Sequence, residues 1–484
     1  MKTHRSLLTI LKTVSLVLLC AASANAEITL PAIFNDHMVL QRGVGLPVWG
    51  ISSPGKTVTI SIHGQTTTVV ADEAGKWMAS LDPMSAGGPY DMNITADAQT
   101  RILTDVYVGE VWLCSGQSNM DMRLNKVADG QAEVANADHP GLRLFRVERA
   151  MSDDPQDDIE GIWSPCTPES AKNFSAVAYF MGRELQHELN VPIGLIHCAY
   201  GGTPAEAWTS REAIEAQPEL ISIAEKHRAK QPGIELDRHD PYVLYNAMLR
   251  PLIPYAIRGT TWYQGESNTL RSKQYEAVLT TMIQDWRTRW QYPDMPFGIV
   301  QLTSYVTPPR VPRMDTSWPE LRESQLKVAQ KLAKTGLIVT IDIGNPTDVH
   351  PLNKQDIGHR LALWALDTVY DKDIVSSGPV FRSAEIQGNQ IILSFDHVGS
   401  GLAARGGSEF RGFVIAGPDK KFRWAKARID GDRLIVTEAR VNEPLAVRYA
   451  WDANPDWANL INADGLPASP FRTDDWPGIT DVNR

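Results

Sequence analysis

The stretch Val106-Tyr107-Val108-Gly109-Glu110-Val111-Trp112-Leu113-Cys114-Ser115-Gly116-Gln117-Ser118-Asn119-Met120 decides how the chain is read. Its first nine residues form an apolar, strand-like run. The run stops at a small polar cluster, Ser115 to Met120. From about residue 106 to 375 such runs alternate with segments of helical period, which is the signature of a parallel α/β sheet. The strand candidates are Val106–Cys114, Ile193–Ala199, Ile257–Tyr263, Phe297–Leu302 and Leu337–Ile343. Phe174, Val177, Ala178, Met181, Leu185 and Leu189 fall on one helical face, and Ile357, Leu361, Trp364 and Ala365 on another. Pro232 to Pro241 is a polar break read as a loop.

Outward from this α/β region the pattern changes on both sides. Residues 27–105 carry short alternating runs, such as Thr57 to His63 and Thr66 to Val70. Turn signals at His63-Gly64-Gln65 and Glu73-Ala74-Gly75 separate them, so this part is expected to be a small β-sandwich. Residues 376–484 return to strands, with hairpin signals at Gly388-Asn389 and Asp430-Gly431-Asp432. The tail from Asn459 to Asp475 has little periodicity and is expected to wrap an earlier surface.

The first 26 residues read as an export signal. Lys2, Arg5 and Lys12 give a charged start, Val14 to Cys20 an apolar run too short to span a bilayer, and Ala24-Asn25-Ala26 a cleavage site. The expected location is the periplasm or the exterior, with no membrane insertion once the signal is removed. A formal net charge of -10 argues against nucleic acid and anionic membranes as partners. Removal of the signal leaves Cys114, Cys166 and Cys198, at most one disulfide and one free thiol, with no zinc-type spacing. Cys114 and Cys198 sit in strand-like runs and read as small buried residues.

In an open α/β sheet, ligands bind beyond the carboxyl ends of the strands. The first strand is followed by Ser118, the second by Gly201-Gly202-Thr203-Pro204, the third by Gln264-Gly265-Glu266-Ser267-Asn268, and the last by Asp348-Val349-His350-Pro351. Serine needs a neighbouring base to become a nucleophile, and histidine titrates in the right range. A carboxylate fixes the tautomer of that histidine, and the tetrahedral intermediate needs placed N–H donors. Taken singly, each part has a plain structural reading: Ser118 as a helix cap, the glycine pair as a tight turn, His359 as a packing or surface residue, and His197 as a residue that lines the site without doing chemistry. Four polar clusters at four strand ends point instead to an acyl-transfer site.

Cys114–Met120, Trp262–Asn268 and Asp348–Pro351 resemble the blocks of the sialate O-acetylesterase family, SGNH hydrolases related to some acetylxylan esterases. The similarity extends through Leu30–Arg42, Gly201–Trp208, Tyr245–Met248 and Leu466–Asp474. The resemblance implies a flavodoxin-like SGNH domain, a parallel sheet with helices on both faces, flanked by β-rich additions. It also implies hydrolysis of sugar O-acetyl groups without metal or organic cofactor. By position, Ser118 matches the family nucleophile and His350 the base. Backbone N–H groups of Ser118, Gly201 or Gly202 and the side-chain amide of Gln264 match the oxyanion donors. Many SGNH enzymes place the acid three residues before the histidine, where this chain has Thr347. Asp348 is therefore favoured as the acid and Glu266 is its rival.

The resemblance implies an acetylated sugar or glycan as substrate, with acetylated xylan as the alternative to sialic acid and a non-catalytic carbohydrate-binding protein as a second alternative. Gln117, Asn119, Trp208, Asn246 and Trp262 are candidate substrate contacts, with Trp318 near the same edge. Tryptophans in such blocks also pack cores. Arg322 and Arg360 are candidates for a carboxylate fork, against ordinary ion pairs.

Overall fold

A computed structural model describes residues 28–229 and 235–481. The export segment and residues 230–234 of the expected loop lie outside the described residues. The strands that build the N-terminal part and the central sheet are β1 (Val39–Gln41), β2 (Leu46–Ile51), β3 (Thr57–Ile62), β4 (Gln65–Val70), β5 (Lys76–Leu81), β6 (Gly87–Ala96) and β7 (Gln99–Gly116). They continue with β8 (His139–Arg146), β9 (Trp163–Cys166), β10 (Ile193–Ala199), β11 (Gly259–Tyr263), β12 (Phe297–Val300) and β13 (Thr335–Ile338). The central order is β13-β12-β11-β7-β10-β8-β9. All neighbours are parallel except β8 and β9.

The five strands expected from the sequence are β7, β10, β11, β12 and β13. Their spatial order, second-first-third-fourth-fifth, is the flavodoxin-like one. The β8–β9 hairpin extends that sheet at one edge and was not expected. Strand β7 is 18 residues long and twice as extended as foreseen. Its first half pairs with β6 and β1, and its second half with β10 and β11. One strand thereby joins the N-terminal β region to the α/β sheet.

Alternation along the central strands sends side chains to two cores. Val111 and Leu113 of β7 point to the core that holds the helix Ser272–Arg289, while Trp112 and Cys114 point to the opposite one. The helices Ala176–Leu189 and Gln355–Thr368 pack together on that second face. Val177, Ala178, Met181 and Leu185, and Ile357, Leu361, Trp364 and Ala365, are buried there as their spacing required. Ser175 caps the first of these helices by accepting from the Ala178 N–H at 3.2 Å.

The last expected strand, Leu337–Ile343, is shorter than foreseen. Pairing ends at Ile338, and Val339 and Ile341 turn away to pack in the C-terminal β core. They are apolar because they join two parts of the molecule, not because they extend the sheet. That C-terminal part contains two four-stranded antiparallel arrangements, one including Val380–Gln387 and Gln390–Asp396. Cys114, Cys166 and Cys198 are all free and buried, and burial pushes the Cys114 thiol up to about 12. No helix among the described residues is long and apolar enough to cross a membrane.

Candidate active site

Register levels the strand ends. Gly116 of β7 stands opposite Ala199 of β10 on one side and Tyr263 of β11 on the other. The three polar clusters that follow therefore open onto one edge, at the point where the strand order reverses. Gly116 adopts φ +140°, and a Cβ there would lie 2.2 Å from the Tyr263 carbonyl oxygen. Only glycine lets the chain leave the strand so tightly.

Ser118 opens the short helix Ser118–Asp121, whose N-cap is Gln117. Its hydroxyl is not spent on capping. Ser118 Oγ lies 2.8 Å from His350 Nε2. His350 Nδ1 lies 2.9 Å from Asp348 Oδ1, and the same oxygen accepts the His350 backbone N–H at 2.9 Å. The His350 N–H at Asp348 holds that carboxyl below its ordinary range. A hydroxyl, an imidazole and a carboxylate thus stand in the sequence that a proton relay requires. Asp348 is more than half exposed, with 55% of its side chain accessible, and His350 is 35% accessible.

Gly201 lies directly against the serine: an added Cβ would meet Ser118 Cβ at 3.4 Å. Among the described residues, the backbone N–H groups of Ser118, Gly201 and Gly202 have no hydrogen-bond partner. These are suitable donors for an oxyanion. Gln264 departs from its expected place among them. Its amide nitrogen donates to the Thr203 carbonyl at 3.1 Å and to Asn268 Oδ1 at 2.7 Å, which uses both of its hydrogens. The Gln264 amide is a fully buried brace between the second and third clusters.

Glu266 is likewise displaced from the role of rival acid. His350 Nδ1 already belongs to Asp348, and Glu266 Oε1 accepts instead from Asn119 Nδ2 at 2.6 Å. The residue is half-buried, but its carboxylate is inside, and burial raises its pKa. Asn119 is not a substrate contact. It is fully buried, donates also to the Val349 carbonyl at 3.1 Å, and accepts from Lys354 Nζ at 2.6 Å. One side chain, next to Ser118, thereby ties the serine turn to the histidine loop. Lys354 was not singled out from the sequence. It is completely buried, stands 4.9 Å from the Tyr263 ring centre, and burial pushes its pKa down to about 7. Its only sequence signal is its spacing, four residues after His350.

Other expected contacts turn out to be structural. Gln117 is buried, and its Oε1 accepts from the Ser267 N–H at 3.4 Å. Trp208 and Trp262 are fully buried and pack edge-on at 6.2 Å between ring centres. Asn246 is spent on the carbonyls of Ser152 and Asp153. Trp318 is partly exposed and donates to the Thr303 carbonyl at 2.9 Å. Arg322 is completely buried and donates to the carbonyls of Leu302, Thr303, Asp452 and Ala453, which fastens the C-terminal region to the sheet. Arg360 forks onto Asp342 at 2.8 Å. Neither arginine is available for a ligand. His197 ends β10 but does not reach Ser118; it is buried 3.5 Å from Asp121, and desolvation pushes it down to about 4. His359 bonds Glu184 on the helix surface.

The site edge carries a cation that the sequence did not reveal. Arg238 is exposed, and an added Cβ at Gly202 would come within 3.5 Å of its guanidinium. Arg238 and Arg149 both lie over the Tyr200 ring, at 5.8 and 5.0 Å.

Known proteins share this sequence and fold. Residues 108–366 match the model of a family described as carbohydrate esterase, sialic acid-specific acetylesterase. The chain belongs to this family. It is 30% identical to the sialate O-acetylesterase of Mus musculus, over 93% of this chain and 95% of that protein. It is also 30% identical to the human sialate O-acetylesterase, over 96% of each. A carbohydrate acetylesterase from Xanthomonas citri, solved by crystallography, is 41% identical, with a TM-score of 0.85 over 93% of this chain and all of that one. This member of the sialic acid-specific acetylesterase family is thus a carbohydrate esterase. The family match runs from the second half of β7 almost to the end of the helix Gln355–Thr368, and so includes every strand end described above.

Proposed function

We propose that this esterase is exported and removes O-acetyl groups from sialic acids through a serine acyl-enzyme. The observation that carries the serine route is the 2.8 Å contact between Ser118 Oγ and His350 Nε2. His350 takes the hydroxyl proton as Ser118 Oγ attacks the acetyl carbonyl carbon. The negative oxygen is received by the backbone N–H groups at Ser118 and the glycine pair. The sugar oxygen then leaves with the proton from the imidazolium. Water, losing a proton to the same imidazole, attacks the acetyl-serine and releases acetate. Asp348 keeps Nδ1 protonated and stabilises the cation. Ser118→Ala is expected to abolish acetyl ester hydrolysis in a folded protein, and near-normal hydrolysis would overturn the reading.

Sialic acid as the sugar is supported by the mouse and human relatives, both named for it, and by Arg238 at the site edge. An exposed guanidinium suits a substrate carboxylate. Arg238→Ala is then expected to raise KM for O-acetyl sialic acid about tenfold, while 4-nitrophenyl acetate is unaffected. Acetylated xylan is the second reading, favoured by the loss of Arg322 and Arg360 as ligands for a carboxylate. Acetate release from the two substrates in parallel decides between them. Export rests on residues 1–26. It predicts a mature protein that begins at Glu27 in the periplasm or medium, and a cytosolic protein retaining Met1 would contradict it.

A further inference from the structure

His350 stands on an irregular, partly exposed loop. Among the described residues, two hydrogen bonds tie residues 346–351 to the rest of the chain. One is the contact of His350 with Ser118, which changes whenever the proton moves. The other runs from Asn119 Nδ2 to the carbonyl of Val349, the residue before His350. The lasting hydrogen-bonded hold on the histidine is therefore one side-chain amide.

An amide can be turned end for end with little change in shape. Here one way round fits. Asn119 Nδ2 gives its two hydrogens to the Val349 carbonyl and to Glu266 Oε1, at 3.1 and 2.6 Å. Lys354 Nζ lies 2.6 Å from Asn119 Oδ1, and an ammonium donates but does not accept. Turned over, the amide would set its N–H groups against the ammonium and its oxygen against two other oxygens. Lys354 thus selects the orientation in which Asn119 holds the loop.

Lys354 is itself well anchored. It immediately precedes the helix Gln355–Thr368, whose Ile357 and Leu361 are fully buried. Its ammonium lies 4.9 Å from the ring centre of Tyr263, the last residue of β11. Taking a lysine charge out of water is costly, and a methionine would fill similar space without that penalty. Packing alone does not call for a lysine here.

We propose that Lys354 is a positioning residue of the esterase reaction: through the Asn119 amide it keeps the Val349–His350 segment in register with Ser118. The proposal rests on the serine route above and is independent of which sugar carries the acetyl group.

Steady-state hydrolysis of 4-nitrophenyl acetate by Lys354→Met, Asn119→Leu and the double variant tests it, with folding checked by urea unfolding. Lys354→Met is expected to lower kcat about 30-fold, since a misplacement of about 1 Å is enough to lose about 100-fold. KM should stay within about twofold, because His350 serves both acylation and deacylation and the two steps slow together. Asn119→Leu should lose at least as much. In the Asn119→Leu background, Lys354→Met should add less than about twofold, because the lysine acts through that amide. A lysine that only supported the fold would change the yield of folded enzyme and leave kcat alone. Should Lys354→Met not fold, Lys354→Gln, uncharged and one atom shorter, replaces it, with a loss in kcat of at least about fivefold. A folded Lys354 variant with kcat within about twofold of wild type overturns the proposal, as does a Lys354→Met loss that persists in full beside Asn119→Leu. A Ser118→Ala variant that kept its activity would instead sink the serine route. An inactive Ser118→Ala beside a fully active Lys354→Met would sink this proposal alone.

Discussion

Asp348 and Glu266 stand on different loops around the same histidine, and the sequence offers both for one role. Their surroundings separate them. Asp348 is more than half exposed, holds both the backbone N–H and Nδ1 of His350, and has its carboxyl stabilised in the charged form. Glu266 has its carboxylate buried under the serine turn, with Oε2 unpartnered among the described residues and its charged form disfavoured. The difference teaches that proximity to a histidine does not by itself assign a carboxylate. One carboxylate orients the imidazole, and the other, with Asn119 and Lys354, holds the two loops at a fixed separation.

That contrast can be broken by four substitutions, taken from the largest effect to the smallest. His350→Ala removes the imidazole bonded to Ser118 and is expected to lower kcat by about 10⁴-fold or more, read as acetate release. Asp348→Asn should cost about 10²- to 10³-fold in kcat, less than for a fully buried acid because solvent screens the exposed carboxylate. Glu266→Gln keeps an acceptor for Asn119 and should stay within about tenfold of wild type in the same assay. An order of loss in which Glu266→Gln exceeds Asp348→Asn would reverse the assignment.

The fourth substitution reports on stability. Lys354 has its folded pKa pushed below the unfolded value, to about 7, so the unfolded chain binds more protons between about pH 7 and 10.5. Wild-type stability should therefore rise with pH across that window relative to Lys354→Met. Between pH 7 and 9 the relative gain is expected to be about 2 kcal/mol, read from urea unfolding of both proteins. A difference that stays flat or falls with pH would mean that Lys354 is not buried as a titrating amine.

Sequence pattern disclosed much of this architecture because β10, β11, β12 and the second half of β7 are buried on both faces and read as apolar runs. The β8–β9 hairpin was illegible because Pro140 and Gly141 open β8, and Arg143 and Arg146 interrupt its apolar residues. The first half of β7 was missed because one of its faces is solvated and polar. That Ser118, His350 and Asp348 meet at one edge was legible, since acyl transfer needs those residue types at strand ends. Roles that depend on burial were not. An amide such as Gln264 or Asn119 donates equally well to a ligand or to a carbonyl, and only the fold says which. Trp208 and Trp262 pose the same ambiguity between stacking on a sugar and filling a core. Lys354 gave no warning, because lysine almost never lies fully buried.

The central claim is that Ser118 is the activated nucleophile. Intact-mass analysis after reaction with diethyl 4-nitrophenyl phosphate tests it most directly. One diethylphosphoryl group per chain, located by peptide mapping to Ser118 and accompanied by loss of esterase activity, is the predicted result. An enzyme inactivated by a label on another residue, or one that stays fully active with Ser118 labelled, would contradict it.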